Sequence, residues 1–360
     1  MSNTNWHIFK KDGEQKSDWS LPDPPSWRAS NQENGSGGRR DHHRGETFQP
    51  SDTVIEMVNA ALYLRRPLLI TGKPGTGKSS VAYAVARQLV LGEVLYWPIT
   101  TRTTLKSGLY DYDAIGRLQD AKQLSEKDNN STDNSTDELA NIGSYITLGP
   151  LGTALIPSKK PRVLLIDEID KSDIDLPNDL LTILEEGRFE IPELVRIKEK
   201  VPNGISVRTA YTDSEEIEKF TVYNGRITCN EFPFVVLTSN GERAFPPAFL
   251  RRCLRLQMPV PNSEELKKIV EAHLGKDLEK RKNNIAKEEG KKASEIWYNQ
   301  AIEERNNLIN KFLEKTKKGD IATDQLLNAI FMVTREKGLD SEDKLIDDFL
   351  MKPLTSNEDT

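Results

Sequence analysis

The stretch Gly72-Lys73-Pro74-Gly75-Thr76-Gly77-Lys78-Ser79 constrains this chain more than any other. It fits G-x-x-x-x-G-K-[ST] at every fixed position: Gly72, Gly77, Lys78 and Ser79. An apolar run, Pro67 to Thr71, enters it, and a helical pattern, Ser80 to Leu89, leaves it. A strand, a glycine-rich loop and a helix in that order predict a phosphate cradle. Across the loop Gly72, Pro74, Gly75, Thr76 and Gly77, the glycines let backbone N–H groups turn inward on a phosphate, and the helix opening at Ser80 adds its positive dipole end. Lys78 is expected at the β- and γ-phosphates of a bound nucleotide, and the Ser79 hydroxyl on Mg²⁺.

A second constellation lies downstream. Val163-Leu164-Leu165-Ile166 is an apolar strand that ends in Asp167-Glu168. Beyond a phosphate loop, this pattern assigns Asp167 with Ser79 to the metal, and Glu168 to polarising the attacking water. Asn240 ends another apolar strand, Val235 to Ser239. An amide at the C-terminal edge of a parallel sheet stands where ligands bind. Its expected task is to fix the attacking water or touch the γ-phosphate, the alternative being a turn residue. Arg251 and Arg252 follow Pro246-Pro247-Ala248-Phe249-Leu250. Two adjacent guanidinium groups need partners: a neighbouring subunit's γ-phosphate, or surface carboxylates. Arg243 and Arg255 are weaker candidates for that role.

Composition sets the limits. The 360 residues are 36% hydrophobic and 29% charged, with a net charge of −6. Such an acidic balance argues against nucleic acid as the main partner. Cys229 and Cys253 lack metal spacing and are expected to be reduced, buried thiols of a cytoplasmic protein. No segment has the apolar length of a membrane span, and the start lacks an apolar signal core. The Asn130 and Asn134 sequons are therefore read as solvated loop.

Pattern along the chain divides it into four. Residues 1–50 read as a mobile arm, rich in Pro, Gly and charge, with Trp6, Phe9, Trp19 and Trp27 free to dock on the domain or a partner. Residues 51–261 alternate apolar strands and helices, which predicts an α/β fold whose parallel sheet is covered on both faces. The first helix is expected to be capped by Asp52. An insertion runs from about 106 to 150, and residues 119–141 are expected to form a long insertion or disordered loop. Phe189-Glu190-Ile191 and Phe220 to Tyr223 are expected to pair as a hairpin around a polar connection. Residues 262–350 read as a small all-helical lid, and 351–360 as a tail.

Together these elements resemble a family. GKPGTGKS, VLLIDEID, VVLTSN and PPAFLRRC are similar to the Walker A, Walker B, sensor 1 and arginine-finger regions of AAA+ ATPases. Thr100 to Asp113, Leu148 to Leu155 and Asn178 to Gly187 resemble the MoxR branch, which carries an insertion between the second strand and Walker B. Pro24-Pro25-Ser26-Trp27-Arg28 resembles MoxR-like proteins of bacterial conflict or signalling operons. The resemblance implies ATP hydrolysis with Mg²⁺, a P-loop core with a helical lid, and a homo-oligomer that is typically a hexameric ring. It also implies chaperone-like remodelling of a protein partner, such as one with a von Willebrand factor A domain. This chain has no D-x-S-x-S motif of its own, so that module would come from elsewhere. One departure points to an alternative, a nucleotide-dependent regulatory switch with little turnover. Where such lids supply a sensor 2 arginine, this chain reads Asp320 to Leu327, and Arg335 comes late.

Overall fold

The computed structural model describes residues 24, 25, 27, 45–127, 141–211, 219–317, 319, 321–335 and 344–353. In chain order the main elements begin with α1 (Asp52–Leu64), β1 (Leu68–Thr71), α2 (Ser80–Leu89) and β2 (Leu95–Pro98). Next come α3 (Leu105–Leu109), β3 (Tyr110–Tyr112), α4 (Ala114–Lys127), β4 (Ile146–Leu148), α5 (Pro150–Ala154) and β5 (Val163–Asp167). Then follow α6 (Leu176–Glu186), β6 (Arg188–Glu190), α7 (Pro192–Val195), β7 (Ile205–Arg208), β8 (Lys219–Val222) and β9 (Arg226–Thr228). The core ends with β10 (Phe234–Ser239), α8 (Pro247–Arg252) and β11 (Leu254–Gln257). Three further helices follow: α9 (Ser263–Glu288), α10 (Lys291–Thr316) and α11 (Thr323–Val333).

The central sheet has five strands in the order β11-β1-β10-β5-β2, and every pairing is parallel. Its continuous apolar strands follow from burial on both faces. Side chains alternate across a strand, so Leu164 and Ile166 enter one core while Val163 and Leu165 enter the other. The first core also takes Leu95, Trp97, Val235, Leu237 and Leu180 of α6. The second takes Leu68, Ile70, Val236, Val54 of α1, and Val81 and Val85 of α2. Each such side chain, fully buried, contributes roughly 1.5–3 kcal/mol. Parallel pairing brings the C-terminal ends of β1, β5 and β10 to one edge, with Thr71 beside Ser239 and Ile166 beside Leu237.

The last three helices enclose a third core. Leu266, Val270 and Leu274 recur every fourth position on α9 and meet Leu308 and Phe312 of α10 and Leu326, Ile330 and Phe331 of α11. Asn262 accepts from the backbone of Glu264 and Glu265, and the Glu265 side chain accepts from Asn262 N at 2.8 Å, closing a capping box. Of the arm's aromatics, Trp27 packs edge-on against His273 and Phe331 of this bundle. Trp6, Phe9 and Trp19 lie outside the described residues. Among the described residues no helix is long and apolar enough to cross a membrane.

Three local expectations need correction. Asp52 is the first helical residue of α1, and Ser51 is the N-cap, without a side-chain capping bond. The expected 119–141 loop is structured at both ends: α4 reaches Lys127, and a short 3₁₀ turn spans Asn141–Tyr145. Helix formers such as Gln119, Ala121, Lys122 and Leu124 extend α4, and the Asn-, Ser- and Thr-rich composition begins only near Asp128. Residues 128–140 lie outside the described set. Finally, Phe189-Glu190-Ile191 and Phe220 to Tyr223 do not pair. β6 pairs with β9, and β8 joins β7 in a second sheet ordered β3-β4-β7-β8. The cause is the Asn224-Gly225 turn, with φ of 54° and 69° between the bridged Tyr223 and Arg226. Two positive φ values in a two-residue loop reverse the chain tightly, so β9, not β8, returns beside β6.

Candidate functional site

The site lies at the C-terminal edge of the central sheet. Lys78 is 8% exposed, and its ammonium donates to Gly72 O at 2.8 Å, Lys73 O at 2.9 Å and Asn240 Oδ1 at 2.9 Å. Burial pulls its pKa below the ordinary lysine value, and the carboxylates of Asp167, Asp170 and Glu168 oppose that fall. A desolvated cation ringed by neutral acceptors attracts an anion strongly. Gly75 and Gly77 have φ of 73° and 82°, conformations that glycine adopts without Cβ strain.

Ser79 Oγ donates to Asp167 Oδ1 at 2.7 Å, so the two expected metal-side groups meet. Thr238 Oγ1 donates to the same oxygen at 2.5 Å, and Tyr96 Oη reaches Asp167 Oδ2 at 3.4 Å. Among the described residues no three His, Cys, Asp or Glu side chains form a metal cage. One carboxylate and one hydroxyl fit Mg²⁺, which takes one or two protein oxygens and completes its shell with water and phosphate.

Glu168 has φ of 61° and ψ of 47°. This left-handed conformation costs a non-glycine residue about 1–2 kcal/mol. It holds because Glu168 N donates to Thr238 Oγ1 at 2.9 Å. The turn swings the Glu168 side chain off the strand line, where its carboxylate meets Lys171 Nζ at 2.7 Å and remains 43% exposed.

Structure therefore brings Lys78, Ser79, Asp167, Glu168 and Asn240 together around the cradle of Gly72, Pro74, Gly75, Thr76 and Gly77, from which Ser80 starts α2. It does not bring in the arginines. Arg252 is paired with Glu185 of α6, Arg251 is exposed while its carbonyl accepts from Arg66, and Arg255 is exposed on β11. Arg243 donates to Ser172 O at 2.9 Å, close to the acidic turn.

Sequence reasoning missed two buried polar residues. Thr238 is 1% exposed and ties Asp167 to the Glu168 turn. Asp170 is 5% exposed and accepts from the backbone of Asn240 and Glu242. A hydroxyl inside an otherwise apolar strand, and a third acid just past the strand end, were the available signals.

The lid side of the cradle was also missed. A Cβ built on Gly75 would stand 2.6 Å from Ala322 Cβ and 2.9 Å from Thr323 N, so the start of α11 rests on the phosphate loop. A Cβ on Gly77 would stand 3.3 Å from the Phe48 ring, and Glu46 pairs with Lys276 of α9 at 2.9 Å. Residues 46–48 thus bridge loop and lid. Asp320 lies outside the described residues, Asp324 is exposed, and Arg335 sits over the Phe331 ring at 4.9 Å. Of the thiols, Cys253 is buried and free, its pKa pushed up to about 12 by desolvation; Cys229 is half-buried and free, raised by the same cause.

Among solved structures the chain is similar to NtrX from Brucella abortus in complex with ATP, at 13% identity and a TM-score of 0.37, over 84% of this chain and 53% of that one. The ADP complex of the same protein matches at 12% identity and a TM-score of 0.37, over 87% and 58%. The chain thus spans little more than half the length of either. None of the curated proteins matches it. The family described as AAA domain (dynein-related subfamily) matches residues 67–253, from the residue before β1 to the residue before β11 and just over half of the chain. With its phosphate loop, acid pair and parallel sheet in place, this chain belongs to that family of nucleotide-binding AAA domains.

Proposed function

We propose that this protein is a MoxR-like AAA+ ATPase that hydrolyses ATP with Mg²⁺ to remodel or activate a partner protein. The observation that carries the reading is the joint placement of Lys78 on Asn240 and of Ser79 on Asp167, at the end of adjacent strands. Lys78 and the loop N–H groups hold the β- and γ-phosphates, replacing the carbonyl contacts that Lys78 makes here. Ser79 and Asp167 hold Mg²⁺, which when bound neutralises developing phosphate charge. Glu168 orients the attacking water and takes its proton, and Asn240 fixes the water or the γ-phosphate edge. In a titration with a fluorescent ATP analogue, Lys78→Ala is expected to lose about 10- to 100-fold in affinity, the range for a charge-assisted bond. Binding equal to that of the parent chain removes the assignment.

Completion of the site requires a second copy in this reading. Arg251 or Arg252 of one subunit reaches the nucleotide of the next, as in a hexameric ring, and lies outside its own cradle. Removing both arginines should leave binding intact and cut turnover by about 10³–10⁵. Mixing that variant with Lys78→Ala chains should restore some activity through shared sites. Failure to complement, with a monomeric and fully active parent, sinks the ring. The remodelled partner, one with a von Willebrand factor A domain by family resemblance, would meet the insertion sheet or the arm.

A second reading, a switch with little turnover in a bacterial signalling or conflict system, draws support from one contact. The Glu168 carboxylate is paired with Lys171 rather than free. Steady-state turnover with and without a candidate partner separates the two readings.

A further inference from the structure

We infer that Asp170 is a positioning residue: it sets the place of Asn240, and through it the contact with Lys78. The inference rests on the site reading above, in which Asn240 works on the nucleotide.

Asp170 lies in the single turn after β5, three residues past Asp167. Its Oδ2 accepts from Asn240 N at 3.0 Å and from Glu242 N at 3.2 Å. Gly241, at φ of 81°, lets these two N–H groups converge on one oxygen. The other oxygen, Oδ1, is buried without a hydrogen-bond partner among the described residues. A buried carboxylate with an unsatisfied oxygen is unfavourable for folding alone. An amide or hydroxyl would serve a purely structural turn at less cost. What the carboxylate adds is a charge-assisted hold on the backbone of the residue whose Oδ1 receives Lys78 Nζ at 2.9 Å. The same turn is joined to β10 by Glu168 N on Thr238 Oγ1, and to the loop beyond by Arg243 on Ser172 O. Asp170 is the member of this set that fixes Asn240 itself.

The test is a double-mutant cycle on the full chain, read in kcat and in nucleotide affinity. Asp170→Ala is expected to lower kcat by about 10- to 100-fold, the worth of hydrogen bonds to a buried charge. The affinity for ATP should stay within about threefold, because the cradle and Lys78 remain. In an Asn240→Ala background the same change should cost less than about twofold, since Asp170 acts through a side chain already gone. Asp170→Asn, which keeps an acceptor for both N–H groups but removes the charge, should recover only part of the loss. Asp170→Ser, too short to reach both, replaces Asp170→Ala in the cycle if the latter does not fold. Where turnover is too slow to follow, the cycle is read in the ratio of ATPγS to ADP affinity, which Asn240 should set.

Equal losses in the two backgrounds overturn the inference, because a merely structural residue gives additive losses. So does an Asn240→Ala chain indistinguishable from the parent, which leaves Asp170 nothing to act through. Equal losses leave the parent's nucleotide binding and the site reading standing, whereas a silent Asn240→Ala leaves nucleotide binding standing but removes Asn240 from the site reading. A parent chain that binds no nucleotide overturns the site reading and the inference together.

Discussion

The two sides of the nucleotide cradle are built on opposite terms. On the sheet side, Lys78, Asp170, Thr238 and Ser239 are buried, and hydrogen bonds of 2.5–3.0 Å tie the phosphate loop, the end of β5 and the turn after it to the end of β10. On the lid side, closure rests on the packing of Ala322 and Thr323 over Gly75, of Phe48 beside Gly77, and on the Glu46–Lys276 pair. That pair is 43% and 86% exposed, and such ion pairs are worth only ~0.2–1 kcal/mol. A buried, hydrogen-bonded half thus carries the charge chemistry, and a half held by packing and an exposed ion pair is the one expected to yield first. Perturbing the first should change turnover steeply, and perturbing the second should change affinity gently.

Between these two halves, the largest expected effect is on the sheet side. Glu168→Gln should lower kcat by ~10²–10⁴, the usual worth of a positioned base. ATP affinity should hardly change, because the amide keeps the shape and the Lys78 contacts are untouched. Retained nucleotide after gel filtration, beside a flat phosphate-release trace, is the expected record. Turnover within threefold of the parent would move the base elsewhere and dissolve the contrast.

An intermediate effect is expected where the halves meet. Gly75→Ala places a Cβ at φ 73° and 2.6 Å from Ala322. The backbone penalty of ~1–2 kcal/mol and the clash push in the same direction, so the lid should back away. Nucleotide affinity should fall about 10-fold, the equivalent of 1.4 kcal/mol, with kcat at saturation less affected. Ala322→Gly in the same chain removes the Cβ contact and should restore part of the loss. No recovery would mean that the strain lies in the loop alone, with the lid uninvolved.

How much of this was legible in the sequence follows the same division. The sheet side was readable because each signal is local: a glycine spacing, an apolar strand, an acid at its end. Parallel pairing then brought Lys78, Asp167 and Asn240 together with no further information. The lid contact was not readable, because Gly75 and Ala322 are nearly 250 positions apart and only tertiary packing joins them. The second sheet was misread for a different reason. Phe189 and Phe220 look like strand mates in an alternating pattern, but the Asn224-Gly225 turn decides which strand returns. That dipeptide is a local signal, and its weight was missed. Asp170 was passed over because the acids before it already had roles; only its burial, together with its two N–H donors, sets it apart.

The smallest expected effect sharpens the comparison most, because it puts a weak contact on the sheet side. Lys171 pairs with Glu168 at 2.7 Å, and the side chains are 42% and 43% exposed. Hydrogen bonding to Glu168 is the main cause that raises the Lys171 pKa, so the ammonium stays charged throughout the neutral range. An exposed pair of this kind is worth ~0.2–1 kcal/mol, and that bounds what its removal can do to about a fivefold change. The sign follows from geometry. The pair directs the Glu168 carboxylate toward Lys171, so a charge-free Lys171→Met should release the base and raise basal turnover by up to about fivefold. High salt, which screens exposed pairs, should raise the parent's turnover toward the variant's and leave the variant nearly unmoved, once both are corrected for salt effects on nucleotide affinity. A drop in turnover instead would show that Lys171 supports Glu168 in its working orientation and does not restrain it. The weak contact would then serve the sheet half after all.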